Sequence, residues 1–210
     1  MVNMSHRLYL YWLEFTFSTT PQPTSHPVEA DNLTIDRRDK HMPKTLYLVR
    51  HAKSSWSDGS LTDRERPLSQ RGRSSAPDMG RRLAAEGHQP ELIISSPATR
   101  AFSTAKKIAK ELGFKKSEIR KDESLYFSGT SSMLNLLEGL DDSYEKVMIV
   151  GHNPAMTSLL NILCDSPVHN MPTCAIAVIT FDTESWAGLS LEGGELLAYD
   201  FPKNPGGLTD

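Results

Sequence analysis

The chain has 210 residues and a net charge of −3 at neutral pH, with 38% hydrophobic and 23% charged residues. This composition is typical of a globular protein with room for one substantial core, and it argues against intrinsic disorder. The mildly acidic balance gives no reason to expect nucleic-acid binding. Since no apolar run approaches the roughly 20 residues that span a bilayer, we expect a cytoplasmic protein without a membrane partner.

The N-terminal segment differs from the rest of the chain. A short apolar run stops at Glu14, and a polar, proline-containing stretch follows it. The apolar run is too short for a signal peptide. We expect residues 1–43 to be a disordered or loosely attached extension, or the product of a mis-assigned start, because Met42 lies just before the first convincing strand. Residues 44–205 are then the folded domain.

The two cysteines, Cys164 and Cys174, do not form a CxxC pair, and no further cysteine completes a zinc set. We expect both to be reduced and partly buried thiols, as in a cytosolic protein. Together with the lack of any other metal-ligand cluster, this spacing predicts neither a metal site nor a cofactor.

Strand-like and helix-like segments alternate from Thr45 onward, which predicts an α/β sandwich with a largely parallel sheet. Ser69, Ser96 and Asn153 are the predicted N-caps of three of the helices, and Pro97 and Pro154 follow two of them. Pro77 predicts a kink or a break into two helical pieces. We predict strands at 45–49, 92–95, 146–150, 175–181 and 195–201, and helices at 69–86, 96–112, 131–140 and 153–163.

Residues suited to phosphate chemistry follow three of the predicted strands. Arg50 and His51 end the first strand, Arg100 lies in the first turn of the helix after the second, and His152 follows the third. Open α/β sheets bind ligands beyond the carboxyl ends of their strands. Helix N-termini there favour anions. Two arginines and two histidines converging at this edge would match the charge and acceptor oxygens of a phosphoryl group.

Three motifs together resemble the histidine phosphatase superfamily, which includes phosphoglycerate mutases and acid phosphatases. They are LVRHA at 48–52, SSP at 95–97 with Arg100, and GHNP at 151–154. The resemblance extends from about Thr45 to Phe201. RHAKSSW at 50–56 and RPL at 66–68 resemble the SixA-type bacterial phosphohistidine phosphatases in particular. The resemblance implies a phosphoglycerate mutase-like three-layer sandwich with a metal-independent phosphatase activity.

The resemblance also implies residue roles. His51 attacks phosphorus and becomes a covalent phosphohistidine, which water then hydrolyses. The residues that hold the non-bridging oxygens and stabilise the transferred charge are Arg50, Arg100 and His152. Asn153 is a further candidate phosphate contact. Ser54 is another, although its hydroxyl is also explained by a role in stabilising its loop.

The proton donor to the leaving group is less defined. Glu123 matches the acid position of the mutase-like branch, but an ordinary surface glutamate explains it equally well, and Asp122 is the alternative. We expect Trp56 to be a buried structural residue and Arg64 to Arg66 to be a solvated charged loop. Ala52 stands where the superfamily usually has glycine, which is tolerable only if the backbone there avoids positive φ.

About twenty residues separate Glu123 from the third long strand, a short connection for the segment that covers the site in larger relatives. A short cover predicts an open site, and an open site suits a phosphorylated side chain on another protein. The primary hypothesis is therefore a phosphohistidine phosphatase. A small-molecule phosphomonoesterase and a non-catalytic phosphate-binding module are the alternatives.

Overall fold

A computed structural model of the chain describes residues 42–127, 129–165 and 168–204. Its described strands form one six-stranded sheet, and in chain order they are β1 (Lys44–Arg50), β2 (Leu92–Ser95), β3 (Ile119–Lys121), β4 (Lys146–Gly151), β5 (Ile176–Phe181) and β6 (Gly194–Asp200). The spatial order is β3-β2-β4-β1-β5-β6. The first four are mutually parallel, and β5 runs antiparallel to both of its neighbours. The predicted mostly parallel α/β sheet is confirmed; β3 was not predicted.

Helices cover both faces of this sheet, and the bounds of those described are α1 (Gln70–Ala85), α2 (Thr99–Glu111), α3 (Thr130–Glu138) and α4 (Ala155–Leu163). Successive side chains of a strand point to opposite faces. In β1, Leu46 and Leu48 accordingly belong to the core that includes α3 and α4. Tyr47 and Val49 belong to the core that includes α1 and α2. The result is the three-layer sandwich implied by the resemblance.

The first helix begins as predicted. The Ser69 hydroxyl caps α1 by accepting a hydrogen bond from the Gly72 amide at 3.2 Å. The same hydroxyl donates to the Lys53 carbonyl oxygen at 3.0 Å, which ties the helix start to the loop after β1. The break into two pieces at Pro77 is wrong, because α1 continues through it as one helix.

The other two predicted N-caps are wrong. The cap residue of α2 is Ala98 and that of α4 is Pro154, each a little after the predicted position. The polar side chains of Ser96 and Asn153 are directed to other partners, His152 and Asn170 respectively. The Ser96 hydroxyl also accepts from the Ala98 amide at 3.3 Å, so it joins the start of α2 to His152, whereas the Asn153 amide bonds to the loop before β5.

Cys164 and Cys174 are both free and buried, in agreement with the predicted reduced thiols. Burial raises the pKa of Cys164 to about 11 and that of Cys174 to about 12. Among the described residues, no helix has the length and apolar character needed to cross a bilayer. Residues 1–41, which include most of the predicted extension, lie outside the described ranges, so the domain boundary stays a prediction.

Candidate active site

The four residues singled out at the strand ends line one cavity of about 510 Å³. Because β2, β4 and β1 are adjacent and parallel, their carboxyl ends meet at one edge of the sheet. The backbone after β1 is fixed there by the sheet itself, since the His51 amide donates to the Gly151 carbonyl oxygen at 3.0 Å. The structure thus brings together Arg50, His51, Arg100 and His152.

Local hydrogen bonds orient the His51 ring. Its Nδ1 donates to the carbonyl oxygen of Ala52 at 2.8 Å, so the lone pair of the neutral ring lies on Nε2. The Ala52 amide donates in turn to the Thr104 hydroxyl at 2.9 Å, and that hydroxyl donates to the Arg100 carbonyl oxygen at 2.7 Å. Ala52 is not among the residues with positive φ, so the alanine fits this backbone as required. These hydrogen bonds therefore fix the position of His51 relative to the start of α2.

His152 lies beside His51, with the ring centroids 4.9 Å apart. Its Nε2 is within hydrogen-bond distance, 2.8 Å, of the Ser96 hydroxyl. Burial is the main cause that lowers the pKa of His51 to about 4; the hydrogen bond to Ala52 opposes this shift, and the charges of Arg100 and Arg50 add to it. Burial and then the neighbouring His51 lower the pKa of His152 to about 3. Both rings are consequently neutral at physiological pH.

Arg50 is held by the loop before β5. Its Nη1 donates to the Met171 carbonyl oxygen at 2.5 Å. Asn153, which also lines the cavity, donates from Nδ2 to the same carbonyl oxygen at 3.2 Å and to Asn170 Oδ1 at 2.6 Å. Within the described part of the chain, Arg50 Nε, His152 Nδ1 and Asn153 Oδ1 are buried without a hydrogen-bond partner. Unsatisfied buried polar atoms of this kind are unusual outside functional sites.

Arg100 is 5% exposed and is neutralised by Asp63, a residue that sequence reasoning missed. Arg100 Nη2 lies 2.8 Å from Asp63 Oδ2, and Arg66 Nη1 lies 2.7 Å from Asp63 Oδ1. The Tyr126 hydroxyl also donates to Asp63 Oδ2 at 3.2 Å. Burial alone raises the pKa of Asp63, but hydrogen bonds from Arg100 and Arg66 outweigh it and lower the pKa below its usual value. Asp63 therefore stays ionised and orients both guanidinium groups.

The predicted position of Arg66 in a solvated loop is wrong. Its side chain is 8% exposed, and it lines the cavity. Its Nη2 donates to the Ser54 hydroxyl at 2.5 Å and its Nε donates to the Ser55 carbonyl oxygen at 3.2 Å. Ser54 also lines the cavity, but its oxygen is already an acceptor for Arg66. The signal in the sequence was the RPL motif at 66–68, which contains Arg66 and not Arg64, but no role at the site was predicted for its arginine.

Two aromatic side chains stand at the cavity with most of their surface exposed. Trp56 is 73% exposed, so its expected burial is wrong, and the guanidinium of Arg66 lies 3.1 Å from its ring centroid. Phe127 is 77% exposed and packs against Tyr126, with the ring centroids 4.2 Å apart and the ring planes tilted by 46°. Both aromatic residues line the cavity.

Glu123 does not lie among the residues that line the cavity. Its carboxylate is 70% exposed and forms a two-point ion pair with Arg64, at 2.5 and 3.0 Å. Asp122 is used in the local turn, where Oδ1 accepts from the Ser124 amide at 3.0 Å. Neither carboxylate lines the cavity, and no other aspartate or glutamate does among the described residues. The position of Glu123 on a short 3₁₀ turn directs it outward, so the expected proton-donor role has no geometric support.

Comparison with known sequences covers the first two of the three motifs, LVRHA and SSP. The sequence model of the histidine phosphatase superfamily (branch 1) matches residues 46–126. An uncharacterized chloroplastic protein of Arabidopsis thaliana is 30% identical over 151 residues, which cover 68% of this chain and 69% of that protein. This chain belongs to the histidine phosphatase superfamily. The resemblance inferred from the three motifs is thereby confirmed.

Solved structures of similar fold include SixA proteins. The crystal structure of a protein assigned as phosphohistidine phosphatase SixA in Agrobacterium tumefaciens is 25% identical to this chain, with a TM-score of 0.65. The match covers 76% of this chain and 99% of the Agrobacterium protein. A protein histidine phosphatase SixA complexed with tungstate shares the fold at 22% identity and the same TM-score, covering 75% and 97% of the two chains. The fold and the suspected SixA likeness are confirmed.

The arrangement places three cationic side chains and two neutral imidazoles in one cavity, which suits a bound dianion. Three guanidinium groups, those of Arg50, Arg66 and Arg100, line the cavity around the two neutral imidazoles. Planar guanidinium groups match phosphoryl oxygens in charge and geometry. Within the described ranges, no three or more histidine, cysteine, aspartate or glutamate side chains are close enough together to hold a metal ion.

Proposed function

We propose that this histidine phosphatase removes the phosphoryl group from phosphorylated histidine in a protein, through a covalent phosphohistidine on His51 and without a metal ion. The observation on which the proposal depends is the state of His51. Its Nδ1 is committed to the Ala52 carbonyl oxygen, its pKa is about 4, and it lies in a cavity with three arginines. The ring therefore offers a neutral Nε2 as the nucleophile at physiological pH.

In the proposed first step, His51 Nε2 forms a bond to phosphorus while the bond from phosphorus to the leaving nitrogen breaks. The cationic side chains stabilise charge on the non-bridging oxygens as the group transfers. The buried Arg50 Nε, which has no partner among the described residues, is a donor for one of these oxygens. In the second step, water attacks the phosphorus and His51 leaves, so inorganic phosphate is released.

The lack of a carboxylate among the described cavity residues supports a nitrogen leaving group. An alkoxide has a conjugate acid with a pKa of about 16, as water does, and needs a proton donor as the bond breaks. A phosphorylated imidazole can be protonated on its other ring nitrogen near neutral pH, because the pKa of histidine is about 6.5. It then leaves as neutral imidazole without help from an enzyme acid.

The test combines a substrate panel with a trapping experiment. We expect a phosphorylated histidine-containing transfer protein to be hydrolysed with a kcat/KM well above that of small alkyl phosphates. Activity confined to small esters would replace this assignment with a small-molecule phosphomonoesterase. Labelled phosphate should be trapped on the wild-type protein and not on His51→Ala, whose turnover falls by about 10⁴-fold or more. No label on the wild type would indicate a non-catalytic phosphate-binding module.

A further inference from the structure

We propose that Trp56 and Phe127 bind the planar ring that bears the phosphate, and so select ring phosphates over aliphatic ones. The inference rests on the proposed phosphatase function, and it names the class of leaving group that the site accepts. Two ring chemistries fit such a site, the imidazole of phosphohistidine and the phenol of phosphotyrosine, and the experiment below distinguishes them.

The exposure of these two aromatic rings is the first observation. Among the described residues they are the two most exposed large hydrophobic side chains, at 73% for Trp56 and 77% for Phe127. Scattered exposed apolar residues are common on protein surfaces and need no explanation. Here, however, both residues line the same cavity as the candidate nucleophile His51. The exposed aromatic surface is therefore placed where a substrate enters.

Each ring is in contact with a residue that is joined to the phosphate site. The guanidinium of Arg66, which lines the cavity and is fixed by Asp63, lies over the ring of Trp56. Phe127 packs against Tyr126 with the two rings tilted by 46°, and the Tyr126 ring makes an edge contact with His152 at 5.6 Å. Rings already ordered in the free protein lose little conformational freedom when they bind a ligand.

The backbone of Phe127 gives a separate indication. Its φ is +56°, in the left-handed region that a bulky aromatic residue rarely adopts. Strained backbone of this kind is concentrated at active sites and ligand-binding segments. The side chain is mostly exposed, so packing in the core does not offset the strain of this backbone. The conformation places the ring at the cavity instead.

The chemistry of the surroundings indicates on which side the leaving group lies. Leu125 and Met133 also line the cavity, but each is 1% exposed and belongs to the buried core, so Trp56 and Phe127 supply its strongly exposed apolar surface. A second groove of about 440 Å³ adjoins the cavity at Asn153 and is lined mainly by amide and hydroxyl side chains. A ring on the leaving group therefore finds exposed apolar contact surface at Trp56 and Phe127.

The test compares ring and aliphatic substrates in ring-deletion variants. We would measure kcat/KM for a phosphohistidine protein, a phosphotyrosine peptide and a phosphoserine peptide with the wild type, Trp56→Ala and Phe127→Asn. Asparagine tolerates left-handed φ, so this variant removes the ring without straining the loop. We expect the ratio of ring to phosphoserine kcat/KM to fall about threefold to tenfold for each ring removed.

Three further variants complete the test. Trp56→Phe and Phe127→Tyr keep an aromatic face and should restore at least half of the wild-type ratio. Leu191→Ala removes another strongly exposed apolar side chain that does not line the cavity, and it should leave the ratio unchanged. Equal losses on ring and phosphoserine substrates in Trp56→Ala and Phe127→Asn would overturn the inference.

The two ring substrates separate this inference from the proposed function. If the wild type hydrolyses phosphotyrosine but not phosphohistidine, and the ratio still depends on both aromatic residues, ring recognition stands and the phosphohistidine assignment fails. If phosphohistidine is hydrolysed with no dependence on either residue, the assignment stands and ring recognition is wrong.

Discussion

The floor and the mouth of the cavity are built in different ways. The floor consists of Arg50, His51, Arg100 and His152, which follow strand ends or begin a helix. The mouth consists of Trp56 and Phe127, which lie in loops. Sheet and turn hydrogen bonds fix the backbone of the floor, whereas contacts with the neighbouring side chains of Arg66 and Tyr126 position the rings of the mouth. The difference suggests that the floor provides the common phosphate chemistry and the mouth provides substrate choice.

The arginines inside and outside the cavity also differ in how their charges are paired. Arg100 and Arg66 are buried, and a buried charge is costly unless it is paired. Asp63 meets this need by pairing with both Arg100 and Arg66. Outside the cavity, Arg64 and Glu123 form an ion pair that is largely exposed to solvent, so it contributes little to the free energy of unfolding. Two arginines only two positions apart therefore have opposite environments.

Among the variants that test this comparison, the two arginines give the largest expected difference in activity. Arg66→Ala removes a buried guanidinium that lines the cavity, and we expect kcat/KM to fall about 10²-fold, as for other preorganised electrostatic groups. Arg64→Ala removes the same charge from an exposed position and should change kcat/KM less than threefold. Steady-state kinetics with the substrate that proves active would measure both. Similar losses in the two variants would refute the distinction between them.

The next effect is on stability and concerns the loop that contains Lys53, between His51 of the floor and Trp56 of the mouth. A Cβ on Gly72 would lie 2.2 Å from the Lys53 carbonyl oxygen, so Gly72→Ala must displace either the loop or the start of α1. We expect a loss of about 1–3 kcal/mol in the free energy of unfolding, measured by urea denaturation. Gly59 is the matched control, because a Cβ there meets no atom within 4 Å. A Gly72→Ala variant as stable as Gly59→Ala would show that the close approach is unimportant.

The buried histidines of the floor predict a pH dependence of stability. In the unfolded chain a histidine binds a proton below a pH of about 6.5, but in the folded protein His51 and His152 do so only near pH 4 and 3. The free energy of unfolding should therefore decrease as the pH falls from 6.5 towards 4, by at most about 1.4 kcal/mol per pH unit for each group. His51→Asn should flatten this slope, measured by denaturation at several pH values. The exposed His169→Asn is the control, and an equal flattening there would contradict the assignment.

The smallest expected effect is that of Glu123→Gln. Because this carboxylate is exposed and paired with Arg64, we expect less than a twofold change in kcat/KM on phosphohistidine and alkyl phosphate alike. Asp63→Asn provides the contrast, since it weakens the orientation of Arg100 and Arg66 and should cost about tenfold or more. A selective loss on the alkyl phosphate in Glu123→Gln would restore its role as the proton donor.

Strands β1, β2 and β4, together with helix α1, could be predicted because hydrophobic periodicity and the Ser69 cap are local signals. The three-residue β3 had no such signal, since it pairs only through its contact with β2. The N-cap positions at Ser96 and Asn153 were wrong because both side chains bond to residues distant in sequence. A local sequence pattern does not indicate partners that are distant in the chain.

The sequence by itself determined the floor of the site. Residues at the carboxyl ends of parallel strands lie at one edge of the sheet, so the predicted strands were sufficient to place Arg50, His51 and His152 at the same edge. Their proximity depends on β1 and β4 being neighbours in the sheet. Only the tertiary structure decided the roles of Asp63, Arg66 and the exposed Trp56. These residues lie in a loop whose path is set by packing against α2 and by ion pairs, and burial within a loop depends on long-range contacts that no local pattern encodes.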